Sequence, residues 1–326
     1  MNFNRRSFLK GIAAASAATV LPTHKSVAAV KDDSFATLID LTKCDGCEHQ
    51  DTPECVLSCR TENAHKFPEP DPAMLKNYWP QPKFEDWSKK RGITNRLTPY
   101  NWLFVQKVKV EVDGEMKTAN VPRRCMHCDN PPCANLCPFG SMTKTKEGPV
   151  YVKDNSCFGG AKCRTVCPWD VPQRQAGVGI YTYLDPIPVG GGVMYKCDLC
   201  RDRLQAGKNP ACVDACPKGA IKIGTRTEIT QEAEQFKKQP KGYVYGDVQN
   251  GGTSTLYLSD IPFEKIDQAL VAQAKNPKKL MRLHKPQNSM EKHSNWAVTA
   301  LLAPFIGAMG AFATTISKTE QKNETK

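Results

Sequence analysis

Hydrophobic and polar residues alternate along two neighbouring stretches in the first half of the chain. Residues 103–112 and 116–121 both have this two-residue period, and Asp113-Gly114 lies between them. Alternation is typical of half-buried strands, and Asp-Gly supplies the positive φ angles that a two-residue hairpin turn needs. We therefore predict a β-hairpin at the end of an insert spanning residues 60–124, which is otherwise irregular.

The second half of the chain has three further periodic stretches. Residues 220–223 predict a strand, whereas 227–238 and 263–274 have the spacing of amphipathic helices. We expect the segment 227–290, which contains these two helices, to form a C-terminal extension that packs on the preceding domain, residues 30–226.

A long apolar stretch without any charged residue lies near the C-terminus. Residues 296–316 begin with Trp296, a residue type that favours the membrane interface. The stretch is long enough to cross a bilayer. A buried core helix is the alternative, but Pro304, Gly307 and Gly310 favour a membrane span. We predict a transmembrane helix followed by a cytoplasmic tail at 317–326.

The N-terminus, residues 1–29, has the pattern of an export signal. Arg5-Arg6 precede an Ala-rich, weakly apolar stretch at 11–21, and small residues follow. This is typical of the twin-arginine route, which carries folded proteins with their cofactors already inserted. An ordinary signal peptide or a buried N-terminal helix is the alternative. We expect a periplasmic domain that the C-terminal span anchors to the cytoplasmic membrane.

Composition favours a loop-rich α+β fold. The chain of 326 residues has 24 prolines and 22 glycines, with a mean hydropathy of -0.49. Its net charge is +12, but the leader holds four of the basic residues and the other lysines are scattered. Nucleic-acid binding needs a basic stripe interleaved with aromatic residues, so we expect no nucleic-acid partner.

Fifteen cysteines fall into four groups, and each group closes with C-x3-C. The groups are Cys44, Cys47, Cys55, Cys59; Cys125, Cys128, Cys133, Cys137; Cys157, Cys163, Cys167; and Cys197, Cys200, Cys212, Cys216. Proline follows three of the closing cysteines, as in the ferredoxin pattern C-x2-C-x2-C-x3-C-P. The third group lacks a cysteine, because Gly160 stands where the second thiolate is expected.

Spacing of this kind indicates iron–sulfur clusters. Three cysteines of a group wrap around one cluster, and the fourth points to a second cluster, so the groups act in pairs. Zinc is the alternative, but no histidine stands at a matching spacing. Disulfides are the usual inference for an exported cysteine-rich chain, but the odd number, the metal-ligand spacing and a route that exports loaded protein argue against them.

Other features have ordinary interpretations. We interpret Trp79, Trp87 and Trp102 of the insert as partner-interface residues, and the glycine-rich stretch 185–192 as a flexible turn. The histidines, including His49, His65 and His127, are hydrogen-bonding or surface groups. No catalytic constellation is found in the sequence.

Taken together, the chain resembles the iron–sulfur electron-transfer subunits of membrane-bound respiratory oxidoreductases. The four cysteine groups, the leader, the insert and the apolar C-terminus all carry this likeness. Residues 212–216, 224–226 and 251–263 resemble most closely the subunit of hydrogenases of the hydrogenase-2 type. The β subunits of formate dehydrogenase and nitrate reductase are also similar.

The resemblance implies two paired bacterial ferredoxin-like modules and four clusters. The implied ligand sets are Cys44, Cys47, Cys55, Cys216; Cys59, Cys197, Cys200, Cys212; Cys125, Cys128, Cys133, Cys167; and Cys137, Cys157, Cys163. The first three sets would hold 4Fe-4S clusters, and the last, which lacks a thiolate at Gly160, would hold a 3Fe-4S cluster. The implied function is an electron relay, not an enzyme. Its partners would be a NiFe hydrogenase or molybdopterin catalytic subunit and a quinone-reactive integral membrane subunit.

Two other classes of function stay open on the sequence. A self-contained reductase could bind substrate at an open iron beside Gly160, and a redox sensor could use a labile cluster there. A sensor, however, has no need of four clusters or of a membrane tail.

Overall fold

A computed structural model describes residues 33–77, 83–184, 187, 190–274 and 280–290. The predicted leader at 1–29 and the predicted span at 296–316 lie outside the described residues. Within the described part of the chain, no helix has both the length and the apolar composition that crossing a membrane requires.

Short strands and short helices make up the described chain, as expected for an α+β fold. The strands are β1 Phe35–Asp40, β2 Phe104–Val112, β3 Glu115–Arg123, β4 Met142–Lys144, β5 Val150–Val152, β6 Gln173–Gln175, β7 Val193–Tyr195, β8 Ile221–Thr225, β9 Tyr243–Tyr245 and β10 Thr255–Ser259. The helices are α1 Glu54–Glu62, α2 Pro132–Asn135, α3 Lys162–Thr165, α4 Arg201–Gln205, α5 Ala211–Asp214, α6 Arg226–Lys237 and α7 Phe263–Gln273.

One four-stranded sheet has the order β8-β1-β10-β9. Strand β1 pairs in parallel with β10, with Thr37 opposite Thr255, and antiparallel with β8, with Thr37 opposite Ile223. Strand β9 pairs antiparallel with β10. The sheet therefore joins the first described residues of the chain to residues 243–259, far away in sequence.

The two faces of this sheet have different partners because successive side chains of a strand point to opposite sides. Ala36 and Leu38 of β1 pack with Ile229 and Ala233 of α6 in a small apolar core. Ile39, on the other face, belongs to the main core, which also contains many of the cysteines. The sheet thus forms one wall of the cysteine-bearing part of the protein.

Helix α6 confirms the predicted amphipathic helix, with its bounds shifted by one residue. Thr225 accepts a hydrogen bond from the backbone N–H of Glu228, and the Glu228 side chain accepts one from the backbone N–H of Thr225. This capping box satisfies two backbone donors that the first turn would otherwise leave unpaired. The other predicted helix is α7, and the strand predicted at 220–223 is β8.

The predicted hairpin is formed by β2 and β3, which pair along nine positions. Asp113 and Gly114 at its turn have φ angles of 54° and 83°, the positive values that a type I′ turn requires. Two shorter hairpins, β4-β5 and β6-β7, connect the second cysteine group to the third and the third to the fourth.

The interface interpretation of the tryptophans is wrong for Trp102. This side chain is 5 % exposed, packs in the main core, and donates its indole N–H to the Pro99 carbonyl at 2.9 Å. Trp87 is half-buried beneath the guanidinium of Arg96. Trp79 lies outside the described residues. Sequence reasoning failed at Trp102 because the insert is irregular, so that no periodicity indicates which of its aromatic residues face the core.

Candidate iron–sulfur sites

All fifteen cysteines are free thiols. In each group the third ligand position lies at the start of a short helix: Cys55 in α1, Cys133 in α2, Cys163 in α3 and Cys212 in α5. Proline precedes three of these helices and fixes the extended backbone from which the helix starts. The sequence repeat is therefore a repeat of local structure.

Cys44, Cys47, Cys55 and Cys216 line one cavity, the first site. Three of these thiols come from the first group, and the last is the closing cysteine of the fourth group. The backbone N–H of Ala220 donates to the Cys216 Sγ at 3.3 Å. Burial raises the pKa of Cys44 to about 11.

Cys125, Cys128, Cys133 and Cys167 line a second cavity, the third site. Here too the fourth thiol, Cys167, is the closing cysteine of another group. The side-chain amide of Asn250 donates to the Cys128 Sγ at 3.4 Å. Asn250 is fully buried and has a φ of 55°, an uncommon angle for a residue with a side chain.

Cys59 lies among three thiols of the fourth group, which together form the second site. Helices α1 and α5 pack on each other and bring these residues together. Burial raises the pKa of Cys59 well above its usual value, and the neighbouring charges of Cys197, Cys212 and Cys200 raise it further. Asn63 donates its side-chain amide to the Cys59 Sγ at 3.8 Å.

Cys137, Cys157 and Cys163 lie close enough for their charges to act on one another, and we call this group of three thiols the Gly160 site. Burial raises the pKa of Cys163 to about 12, and the charges of Cys157, Cys167 and Cys137 add to the effect. Cys137 differs: burial opposes its ionised form, but backbone N–H groups, that of Met142 first, outweigh burial and lower its pKa.

Gly160 itself is open. A Cβ built at this position would meet no atom within 4 Å. The neighbouring Gly159, in contrast, packs against Gly192, and a Cβ there would come within 2.4 Å of the Gly192 carbonyl oxygen. Asp154, a possible substitute ligand, accepts a hydrogen bond from the backbone N–H of Asn155.

A carboxylate of the insert holds the loop of the Gly160 site. Glu85 accepts hydrogen bonds from the two terminal guanidinium nitrogens of Arg164 at 2.7 and 2.8 Å, and from Arg174 at 2.6 Å. Arg174 also donates to the Gly159 carbonyl at 2.9 Å. Burial works against the charge of Glu85, but the two arginines outweigh it and lower the pKa of this carboxyl. This set, the Glu85 clamp, ties the insert to the third cysteine group.

Three buried basic residues lie between the second and third sites. Arg124 and His127 are fully buried, and Lys196 is 4 % exposed. His127 accepts a hydrogen bond from the Val150 N–H at its Nδ1, so its Nε2 carries the proton, 3.7 Å from the Cys197 Sγ. Burial, followed by the charges of Lys196 and Arg124, lowers the pKa of His127 well below its usual value. The interpretation of His127 as a hydrogen-bonding group is confirmed.

These surroundings fit iron–sulfur clusters. No three described His, Cys, Asp or Glu side chains are placed to hold a single metal ion. Backbone N–H groups donate to the sulfurs of Cys197 and Cys216. Among the described residues, Arg124 and Lys196 form no ion pair with a carboxylate but lie within 4.0 Å of cysteine sulfurs. Buried cations need a nearby negative charge, and metal-bound thiolates supply one because a coordinating metal deprotonates the thiol.

Sequence reasoning missed the residues around the cysteines. Glu85 and Asn250 lie far from any cysteine in sequence, and nothing in their surroundings marks them. Arg124 and Lys196 do carry a signal, since each directly precedes the first cysteine of its group.

The fold and the sites define a ferredoxin-type protein with several iron–sulfur clusters, and comparisons agree. Models described as 4Fe-4S dicluster domain match residues 43–141 and 116–226. A model of the twin-arginine translocation signal matches residues 2–22, which supports export to the periplasm.

Known relatives give the family. The chain is 30 % identical to the Hydrogenase-2 operon protein HybA of Escherichia coli O157:H7, over 81 % of this chain and 83 % of the relative. It is 28 % identical to the Formate dehydrogenase-O iron-sulfur subunit of Escherichia coli strain K12, over 69 % and 67 %. A third relative is the nitrate-inducible formate dehydrogenase iron-sulfur subunit of the same strain, 31 % identical over 50 % of this chain and 53 % of the relative. The chain belongs to the family of HybA-like and formate dehydrogenase iron–sulfur subunits.

Proposed function

We propose that this chain is the electron-relay subunit of a respiratory oxidoreductase bound to the periplasmic side of the cytoplasmic membrane. The observation that carries the proposal is the exchange of closing cysteines. Cys216 lies with the first group, and Cys167 lies with the second. Such exchange keeps neighbouring sites close together, as in two-cluster ferredoxins.

The four sites take the following ligand sets in this proposal. They are Cys44, Cys47, Cys55 and Cys216; Cys59, Cys197, Cys200 and Cys212; Cys125, Cys128, Cys133 and Cys167; and Cys137, Cys157 and Cys163. The first three hold 4Fe-4S clusters, and the Gly160 site holds a 3Fe-4S cluster, because glycine offers no donor atom. When bound, these groups supply one-electron redox chemistry.

The chain's own residues hold the groups and exclude water. Ten of the fifteen cysteine side chains are buried. The backbone N–H groups of Ala220 and Leu199 donate to Cys216 and Cys197, at 3.3 and 3.4 Å. Hydrogen bonds to the sulfurs and exclusion of solvent are two means by which proteins set cluster potentials.

Two exposed regions support the partner assignment. Cys44, Cys47 and Cys216 of the first site are only half-buried, so a catalytic subunit could approach closely there. We assign this face to a NiFe hydrogenase subunit, with a molybdopterin enzyme such as formate dehydrogenase as the alternative. Beside Cys137, Phe139 is 57 % exposed and stacks on Phe158 with 4.7 Å between ring centroids. We assign this apolar patch to an integral membrane subunit that reacts with quinone.

The remaining parts of the chain complete the proposal. Residues 1–29 are the export signal, 30–226 the four-cluster domain, and 227–290 an extension packed on it. Residues 296–316 anchor the protein, and 317–326 form a cytoplasmic tail. The anchor is proposed from the sequence alone.

Affinity purification of the tagged full-length chain from its native membrane tests this function. We expect a catalytic redox subunit and an integral membrane subunit to co-purify, and dithionite-reduced dye to reduce the purified chain. Substrate turnover by the isolated chain would instead support the self-contained reductase. A chain that purifies alone from gently solubilised membranes would contradict the relay.

A further inference from the structure

Arg124 and Lys196 occupy equivalent places in two cysteine groups and reach across to each other's thiols. Arg124 precedes Cys125, and Lys196 precedes Cys197. The Lys196 Nζ lies 3.5 Å from the Cys125 Sγ, while the Arg124 Nη1 lies 4.0 Å from the Cys197 Sγ. Each cation therefore belongs by sequence to one site and by contact to the other.

Both side chains are fixed by further hydrogen bonds. Lys196 donates to the carbonyls of Val150 and Cys197, the latter at 2.9 Å. Arg124 donates to the hydroxyl of Thr37, on the inner face of the four-stranded sheet. Neither cation forms an ion pair with a carboxylate among the described residues, and each lies within 4.0 Å of a cysteine sulfur.

The Gly160 site provides a contrast. Its nearby arginines, Arg164 and Arg174, share the carboxylate of Glu85, so much of their charge is compensated. At the first site, the nearby Lys218 is exposed and pairs with Asp45 at 3.6 Å. Arg124 and Lys196, in contrast, are buried and form no ion pair among the described residues.

We infer that Arg124 and Lys196 form a shared cation bridge that raises the reduction potentials of the second and third sites together. The inference rests on the ligand sets of the proposed function. Adding an electron makes a site more negative, and a fixed positive charge a few ångströms away stabilises that state. Each cation contacts a sulfur of one site and directly precedes the first ligand of the other, so its charge acts on both potentials and shifts them together.

Burial gives the bridge a second property. Salt screens charges that are exposed to solvent, but it screens buried pairs much less. The contribution of Arg124 and Lys196 to both potentials therefore persists at high ionic strength, unlike that of an exposed lysine.

The test is an EPR-monitored redox titration of the anaerobically purified full-length chain and of Lys196→Met and Arg124→Gln. The EPR signal that Cys200→Ser changes is assigned to the second site, and the signal that Cys128→Ser changes is assigned to the third site. We expect each of these two variants, Lys196→Met and Arg124→Gln, to lower the midpoint reduction potentials of both the second and the third site. The equilibrium constant for reduction should fall about tenfold, which corresponds to about 59 mV for one electron. The shifts should be the same at low and high salt.

Two variants serve as controls. Lys196→Arg keeps the positive charge, so the midpoint potentials of the second and third sites should equal those of the wild type. Lys237→Met removes an exposed lysine of α6 that pairs with Asp247, and it should leave all midpoints unchanged.

The outcomes separate this inference from the proposed function. Iron missing from the wild type would refute the ligand sets, whereas unchanged midpoints in an iron-replete variant would refute the bridge alone. A shift in the midpoint potential of only the second or only the third site would also refute the bridge. If both neutralised variants lose a cluster, the cations serve assembly and not potential, and the inference is wrong.

Discussion

Cys47 and Gly160 stand at equivalent ligand positions, and each follows a glycine with a left-handed backbone angle, Gly46 or Gly159. Gly46 has a φ of 70°, and a Cβ there would come within 2.7 Å of the Asn120 side chain. Asn120 in turn donates to the Cys44 carbonyl at 3.3 Å. Gly160 has open space around it and no left-handed backbone angle. Backbone geometry therefore requires the glycine that precedes each ligand position, and does not require a glycine at position 160 itself.

The surroundings of the two loops differ as well. The first site has four thiols, and its loop contacts Asn120 of β3. The Gly160 site has three thiols, and its loop is held by the part-buried ion pairs of the Glu85 clamp. The shape of the loop therefore does not explain the absence of a cysteine at position 160, because the loop has room for a side chain there.

The largest effect is expected from removing a thiol from the site that has only three. Cys163→Ala leaves Cys137 and Cys157, too few to hold a cubane-derived cluster, so about three irons per chain should be lost. Iron analysis and EPR of anaerobically purified protein measure this. The matched variant Cys47→Gly leaves three thiols at the first site and should lose only about one iron. Equal losses in the two variants would break the comparison.

A smaller effect is expected from breaking the Glu85 clamp. Glu85→Gln leaves Arg174, 4 % exposed, without a negative partner, which should cost about 1 to 3 kcal/mol in local stability. Chelator should then remove iron faster from the Gly160 site than from the first site. The control is Glu69→Gln, because Glu69 makes a similar pair with Arg91 on the surface, where such pairs contribute little. If chelator strips all sites equally fast, the clamp does not act on this site.

The smallest effect is expected from a side chain at position 160, with Gly46 as the comparison. Gly46→Ala forces a side chain into a left-handed angle and against Asn120, and should destabilise the protein by about 1 to 3 kcal/mol. Gly160→Ala should change stability by no more than about 0.5 kcal/mol. The midpoints of anaerobic thermal unfolding compare them, and an equal drop in both variants would mean that Gly160 is also held by its backbone.

Much of this fold could be predicted from local sequence signals. The hairpin turn at Asp113-Gly114, helices α6 and α7, and the four repeated cysteine loops all follow from short-range patterns. The four-stranded sheet did not, because β1 pairs with β10 across more than two hundred residues and nothing local indicates that partner. Trp102 was misjudged for the same reason, since its burial depends on distant contacts.

The candidate sites, too, could be predicted only in part from the sequence. The cysteine spacing predicts the kind of cofactor, but the residues that tune the sites lie elsewhere. Glu85 reaches the Gly160 site across about eighty residues of chain, and Asn250 reaches Cys128 across more than a hundred. Neither contact leaves a periodic pattern in the sequence. Only the basic residues directly before Cys125 and Cys197 could have been noticed.

The proposal that the Gly160 site holds a 3Fe-4S cluster is tested most directly by iron content and by the EPR spectrum of the oxidised protein. Both are measured on wild type and Gly160→Cys purified anaerobically. We expect about fifteen irons and a 3Fe-4S signal in the wild type. In Gly160→Cys we expect about sixteen irons and loss of that signal, because the new thiol completes the site. About sixteen irons in both proteins, with an EPR-silent oxidised wild type, would contradict the proposal and would mean that another ligand replaces the missing cysteine.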